Sequence, residues 1–585
     1  MCDTGHDDHD HAHHHHHHHE DSHAHDHGHD HGHDQGGRHC CVSEDYERNL
    51  ADQRARGFNR LQVLQAMGAA GLVVAGGGIN AGSVFAAAPT PRRHYSAVGT
   101  GDFDGYFYIS GDHHIHTRYS PDAKYMVREQ VNEANNFGLG WMVITDHGGV
   151  THNRIGVDKT YPDILGARDE FKNMLVFVGL EQNIPGAEHG AVIIEKNDNE
   201  KTQIKAFEAS YDGAVGPNTE ANAIAGFNYL KGLSPAPLFF ANHPARRGLD
   251  SPHEIRNWYK TAPDIAHGFE GAPGHQAAGS IRDANGRIIE YRGFYGNRPG
   301  AGAHPLYPPE SYFTYGGFDW MTAKLGGVWD SLLGDGMRWW ITANSDSHKW
   351  FDDRQDVDGS AFNTQGYVTP TGPTNFFTQQ VYGDFRPGQY SRTYVLAAAQ
   401  TYAAVMAALR GGRVFVVQGD LIDRLKFTAT SGSANAGMGD TLAAARGANV
   451  SVEIKVRVPS APNNNGDRPD INHVDLIAGN ITGDLLSGRP SRGPDNQSNP
   501  TTRVARAFDR LSPSSQDDNG AVYTLTYTFE NVRDDFYIRL RGTNTNDRGA
   551  TPSMDADQRG QTGPAASPWD DLWFYANPIF VRVQQ

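Results

Sequence analysis

FYISGDHHIHTRYSPDAKYMVREQV, residues 107–131, runs from an apolar segment into Asp112-His113-His114-Ile115-His116 and on into a helical pattern. Alternate side chains of an extended segment share a face, so His114 and His116 are placed to reach one metal ion together. His113 faces the other way and is expected to pack or to support its neighbours. Six residues after His116, Asp122 is expected in the first turn of a helix, with Ser120 as N-cap and Pro121 at the first position. The chain would then turn back and bring a carboxylate near the same spot. By itself His-x-His is a weak signal, because a solvated surface pair satisfies it equally well.

The arrangement recurs along the chain. WMVITDHGG ends in Asp146 and His147, and LVFVGLEQN ends in Glu181, with His189 eight residues later in EHGAVII. LFFANHPARRG ends in His243, and RWWITANSDSHKW ends in Asp346 and His348. Five predicted strands thus deliver metal-competent residues at their C-terminal ends, where α/β barrels build active sites. Imidazole nitrogens and carboxylate oxygens suit Zn, Mn or Fe, and a carboxylate can bridge two ions. Such a cluster lowers the pKa of bound water and clamps phosphoryl oxygens, so hydrolysis by metal-activated water is the expected chemistry. The thiols agree: the three cysteines are Cys2, Cys40 and Cys41, so the later chain has no thiolate ligand, cysteine nucleophile or disulfide.

Taken in order, His114-x-His116-Thr117, Asp122, Thr145-Asp146-His147, Gly179-Leu180-Glu181, Asn242-His243-Pro244 and Asp346-x-His348 resemble the signatures of the PHP (polymerase and histidinol phosphatase) family. The resemblance spans roughly residues 105–420 and includes VMAALRGGRVFV, similar to a stretch that follows the last motif in bacterial members. It implies an α/β fold, a distorted (β/α)7 barrel holding two or three divalent ions (Zn, Mn or Fe), and a phosphoesterase acting on a small phosphorylated substrate. One ion would be held by His114, His116, Glu181 and Asp346. A second would use Glu181 as a bridge, with His189 and His243, and a third would take Asp122, His147 and His348. His152 competes with His189, since the spacing after the glutamate varies. Asp146 is expected to orient a ligand rather than to bind metal. Arg246 or Arg247 would bind substrate phosphate through the guanidinium fork, although a solvated surface pair is equally compatible. Two other readings stay open: a metal-dependent amide or ester hydrolase of the same barrel type, and a metal-storage or delivery protein.

A chain of 585 residues is too long for one core. Residues 1–42 are a His/Asp/Gly tail, expected to be disordered and to bind metal ions. An affinity tag would account for His13–His19 but not for the flanking HDHGHDHGHD. Residues 43–95 place Arg54, Arg56 and Arg60 before an apolar Gly/Ala-rich run and Ala86–Ala88, an order that resembles a degenerate twin-arginine export signal. The expected location is periplasmic or secreted, with cytoplasmic the alternative. Gly76–Gly78 and Asn80 interrupt the run, so no firm membrane anchor is expected. The barrel is expected over 96–420, with an insertion near 268–337 whose aromatic stretch either shapes a substrate pocket or packs on the surface. From 421 to 585, segments such as VSVEIKVRV and YTLTYTF alternate apolar and polar residues, an all-β sandwich-like domain with a packing or docking role. The net charge of −17 offers no basic surplus for a nucleic-acid backbone, so no nucleic-acid partner is expected.

Overall fold

The computed structural model describes residues 99–584, apart from 100, 104, 279–280, 283–287, 291–294, 296–298, 301, 350–360, 370–383, 550–551 and 553–567. The histidine-rich tail and the expected export segment lie outside the described residues.

Seven strands form the barrel: β1 (Phe107–Asp112), β2 (Trp141–Ile144), β3 (Leu175–Asn183), β4 (His189–Ile194), β5 (Leu238–Ala241), β6 (Ala266–Pro273) and β7 (Trp340–Asn344). They read as near-continuous apolar runs such as WMVI and LFFA because they are buried on both faces. Neighbours pair in chain order, and all pairs are parallel except β3–β4 and β4–β5. That reversed β4 is the distortion: His189 begins β4 instead of ending it, and so lies beside Asn183 at the end of β3. The ring closes just past the strand ends, where Ile115 pairs with Ser347 and the His116 N–H donates to the Ser347 carbonyl at 2.9 Å. Closure therefore happens at the residues that carry the imidazoles.

Helices α1 (Val127–Asn136), α2 (Val157–Glu170), α3 (Glu200–Tyr211), α4 (Glu220–Lys231) and α5 (Pro252–Thr261) cover the outside. In α1 the buried Val127, Gln130, Val131 and Ala134 recur at three- and four-residue spacing, one stripe facing the strands. No helix among the described residues is long and apolar enough to cross a membrane.

The sequence expectation is refined at two boundaries. The insertion foreseen from 268 starts later, because 268 lies inside β6 and inserted material follows Pro273. The β-rich C-terminal region is present, but it is not detached from the barrel. β1 also pairs antiparallel with β8 (Ser391–Ala397), β8 with β9 (Val414–Gln418), and β9 with the final strand Trp573–Gln584. Strands Phe536–Thr543, His473–Asn480 and Arg503–Phe508 continue the same sheet. A second sheet, centred on Val450–Pro459, packs against it. Burial in that strand alternates residue by residue, the period-two pattern of a sheet with one dry face.

Candidate metal centre

All nine residues expected as ligands meet at the C-terminal mouth of the barrel. His114 and His116 stand on one face beyond β1, with their Nε2 atoms 2.9 Å apart. Glu181, near the end of β3, reaches His114 Nε2 at 3.1 Å, His147 Nδ1 at 2.6 Å, His189 Nδ1 at 3.0 Å and His243 Nε2 at 3.1 Å. Asp346 lies 3.2 Å from His114 and 3.3 Å from His116. Asp122 lies 3.4 Å from His147 and 3.6 Å from His348, and its side chain is half exposed, the most open of the nine. His348 stacks on His116 at 3.9 Å between ring centroids.

The hydrogen bonds around the cluster turn lone pairs inward. His114 Nδ1 lies 2.7 Å from Glu270 Oε1, and a carboxylate can only accept, so Nδ1 carries the proton. Ser120 gives its hydroxyl proton to Asp146 at 2.8 Å, so His116 Nδ1, 2.9 Å from the same oxygen, must donate to it. Both rings then present a bare Nε2 toward each other and toward Glu181 and Asp346. Both carboxylate oxygens of Asp346 are buried without a hydrogen-bond donor among the described residues. Buried acceptors facing buried acceptors are costly unless a cation lies between them. The donor set of imidazole and carboxylate fits a borderline or hard divalent ion, and four groups of three such residues have ligand atoms close enough to share an ion.

Electrostatics say the same. Burial pushes the Glu181 carboxyl up, yet His189, His114 and His147 hold it well below the carboxylate range. Asp346 is likewise held well below, against burial, by His114, His348 and His275. Burial opposes charge on His114, but Asp346, Glu270 and Glu181 hold its ring well above the usual value. In these positions a divalent ion would replace the protons that otherwise balance the carboxylates.

Local backbone explains how the side chains arrive. Asp346 (φ 50°) and His243 (φ 31°), two of the five described non-glycine residues with positive φ, adopt left-handed conformations at the site. Gly274 (φ 55°) lets β6 turn against β7, since a Cβ there would lie 2.1 Å from the Ser345 carbonyl.

One expectation is corrected. Ser120-Pro121-Asp122 do not open a helix, because α1 begins at Val127 and Met126 N–H pairs with Glu129 instead. The Ser120 hydroxyl is already committed to Asp146, His116 and the His147 N–H, so it cannot cap. Asp122 reaches the site from a turn. Asp146 accepts from Thr117 N–H and Oγ1, both at 2.7 Å, and from Ser120, the orienting position expected of it. His113 is core, 2.7 Å from Thr342 Oγ1, and burial pushes its pKa down to about 3. His152, the competitor of His189, pairs instead with Glu208 at 2.9 Å. Arg246 is buried against Glu188, whereas Arg247 is half exposed with its Nε 3.6 Å from the same carboxylate.

Sequence reasoning missed Glu188, Glu270 and His275. His275 Nδ1 lies 3.9 Å from Asp346, and Glu270 holds His114 by its side chain and the His243 N–H at 2.7 Å. The signal existed: HGFEGAPGHQ is a sixth strand that ends in a histidine, hidden by the early insertion boundary.

Fold and cluster together define an α/β barrel with a cluster able to hold metal ions at the C-terminal strand ends. Residues 112–234 match the family model of the PHP domain, a span that contains His114, His116, Asp122, His147, Glu181 and His189. The match covers that segment alone and makes it similar to the PHP domain. No curated protein matches. Among solved structures, a two-domain protein from Bacteroides vulgatus, described as containing a predicted PHP-like metal-dependent phosphoesterase, is 15% identical with a TM-score of 0.30, covering 75% of this chain and 100% of its own. The lesion-specific endonuclease EndoQ of Pyrococcus furiosus is 11% identical with a TM-score of 0.27, covering 58% of this chain and 59% of its own. At these scores neither assigns a residue or a substrate here.

Proposed function

We propose that this protein is a divalent-metal-dependent phosphoesterase that hydrolyses a small phosphorylated substrate. The observation that carries the reading is the convergence of bare imidazole nitrogens with the undonated carboxylate of Asp346. Divalent ions held by the nine residues would supply the acidity that activates water and the charge that neutralises a phosphoryl group. The chain's own contribution is orientation: Glu270 and Ser120 fix the tautomers of His114 and His116, and Glu188 fixes Arg246 beside the mouth. Arg247, half exposed at the same turn and 3.6 Å from Glu188, is placed to meet a substrate anion. The charge of −17 supports a small substrate over a nucleic-acid backbone.

The test is hydrolysis of p-nitrophenyl phosphate and its bis ester by Mn- or Zn-loaded protein lacking residues 1–42, with metal counted by elemental analysis. Asp346→Ala is expected to abolish turnover and to lower the metal content. Loaded protein inert on a broad phosphoester panel would sink the proposal. The half-exposed Arg247 also separates the amide or ester reading: Arg247→Ala should raise KM for a phosphoester and leave an uncharged amide substrate unaffected. Persistence of turnover without the tail, with metal in excess, would rule against a pure storage role. Export by residues 43–95 is likewise a proposal, tested by whether the mature N-terminus lies after Ala88.

A further inference from the structure

At the opposite end of the barrel a solvent-connected cavity of about 620 Å³ opens between the N-terminal ends of β6 and β7 and the C-terminal β-region. Its wall includes His267 of β6, Arg338 just before β7, Tyr259, Leu485, Arg582, and Arg410 at the end of helix Tyr402–Arg410. β6 runs from this cavity to the metal centre, so about 20 Å of strand separates them. The volume falls in the range of small-molecule sites.

Two features of the wall are unusual. His267 is 4% exposed, and among the described residues neither of its ring nitrogens makes a well-formed hydrogen bond, although the Asp264 backbone lies near. Buried imidazoles in folded proteins are normally satisfied. Second, Arg338 and Arg410 have no carboxylate partner within ion-pair distance among the described residues. Arg338 donates to Thr441 Oγ1 at 3.2 Å, and Arg410 donates only to the carbonyls of Ala236, Pro237 and Asp264.

The nearby acids offset part of this charge without forming an ion pair to Arg338 or Arg410 among the described residues. Asp335 is committed to Arg256 at 2.8 Å and to the Ser491 N–H, and Asp484 to Ser487. Arg582 is paired with Asp535 at 2.8 Å, and Glu195 and Asp264 stand within Coulombic reach of Arg410. Burial and the neighbouring Arg410 and Arg338 push the His267 pKa down to about 3, so its ring is neutral and keeps one N–H to offer. What remains is a donor-rich wall, with the guanidinium groups of Arg338 and Arg410 and a neutral imidazole, beside the apolar Tyr259 and Leu485.

We propose that this cavity is a second binding site, for a small organic anion. Its phosphate or carboxylate head lies against Arg338, Arg410 and His267, and its apolar part lies against Tyr259 and Leu485. The planar guanidinium groups suit an oxyanion, and the unpaired imidazole gains the partner it lacks. The site stands independently of the reaction proposed above.

Phenylphosphonate is a suitable probe, because it joins a dianion to a ring and its C–P bond resists hydrolysis. Calorimetry would use the full chain bearing Asp346→Asn, in chelator, so that ions at the barrel mouth do not hold the probe. The expected result is one-to-one binding, weakened about tenfold or more by Arg338→Gln and by His267→Leu and unchanged by Arg247→Gln. Should either cavity variant lower the melting temperature, Arg410→Gln, the third head-group contact, carries the same expectation. No binding at millimolar probe overturns the proposal. So does binding that survives the cavity variants, or binding that is lost only with Arg247→Gln.

Discussion

Asp346 sits in a left-handed conformation with both carboxylate oxygens buried among imidazoles and no donor to either among the described residues. Neither the strain nor the unmet acceptors benefit a metal-free protein, which is why this residue argues for an ion more strongly than any histidine does. The histidines depend in turn on residues that touch no ion. Ser120 is the clearest, since its oxygen joins Asp146 to His116 Nδ1 and also accepts the His147 N–H at 3.0 Å. Ser120→Ala should let the His116 ring rotate and change tautomer. Metal affinity is expected to fall about 10- to 100-fold, with turnover recovering when metal is in excess. Competition with a chromogenic chelator measures the first effect and saturation kinetics the second. A variant with unchanged affinity would remove the orienting role from Ser120. The nine clustered positions were legible in the sequence because strand-end placement and period-two facing need only local information. Glu188, Glu270 and His275 were not, because nothing local says that β4 runs backwards or that a mid-strand glutamate will meet His114 from across the ring.

At the scale of elements, the misread segment is instructive. Ser-Pro-Asp is a sound helix start in isolation, and it failed because the serine hydroxyl had a stronger claim in Asp146, an ionisable acceptor buried beside it. Competition from tertiary contacts decided the turn. β6 shows the opposite case, a strand whose two ends serve different surroundings: Glu270 and the turn to His275 at one, and His267 at the other. His267 yields a pH prediction whose sign is fixed. Its folded pKa is about 3, against about 6.5 for an unfolded histidine. Below about pH 6.5 the unfolded chain takes up a proton that the folded chain refuses. The stability is therefore complete above that pH and drains away as pH falls toward 3. Between pH 6.5 and pH 5 this one ring accounts for about 2 kcal/mol. Urea unfolding in chelator at both pH values should show a smaller acid loss for His267→Gln than for the parent chain. Equal losses would mean that the ring is charged, or solvated, in the folded state.

For the whole molecule, composition suggested a cut near residue 420, and the change of texture there is real. Strand alternation revealed the β-rich region but carried no information about which edge it would join. That edge is β9, whose five residues are all buried and whose free side is taken by the final strand through Phe415–Ala576, Val416–Tyr575 and Val417–Phe574. The same strand reaches the barrel directly: Asn577 Oδ1 accepts from the Ile341 N–H of β7 at 2.9 Å, and Tyr575 packs on Phe318 at 4.2 Å. The insertion contributes from the other side, where helix Val328–Gly334 presents Asp330 to a fully buried, bidentate pair with Arg539, both bonds 2.8 Å. Ending the chain at 420 would leave VFVVQ as an open apolar edge and Asp330 as a buried charge without its partner, two of the more destabilising changes a fold can suffer. The truncated chain is expected to be insoluble, or to lose its cooperative melting transition, even though every residue of the metal centre is retained. A soluble, monomeric 1–420 chain with the full metal content would show the β-region to be an appendage. The continuous sheet argues instead that it is part of the wall that holds β7, and with it Asp346, in place.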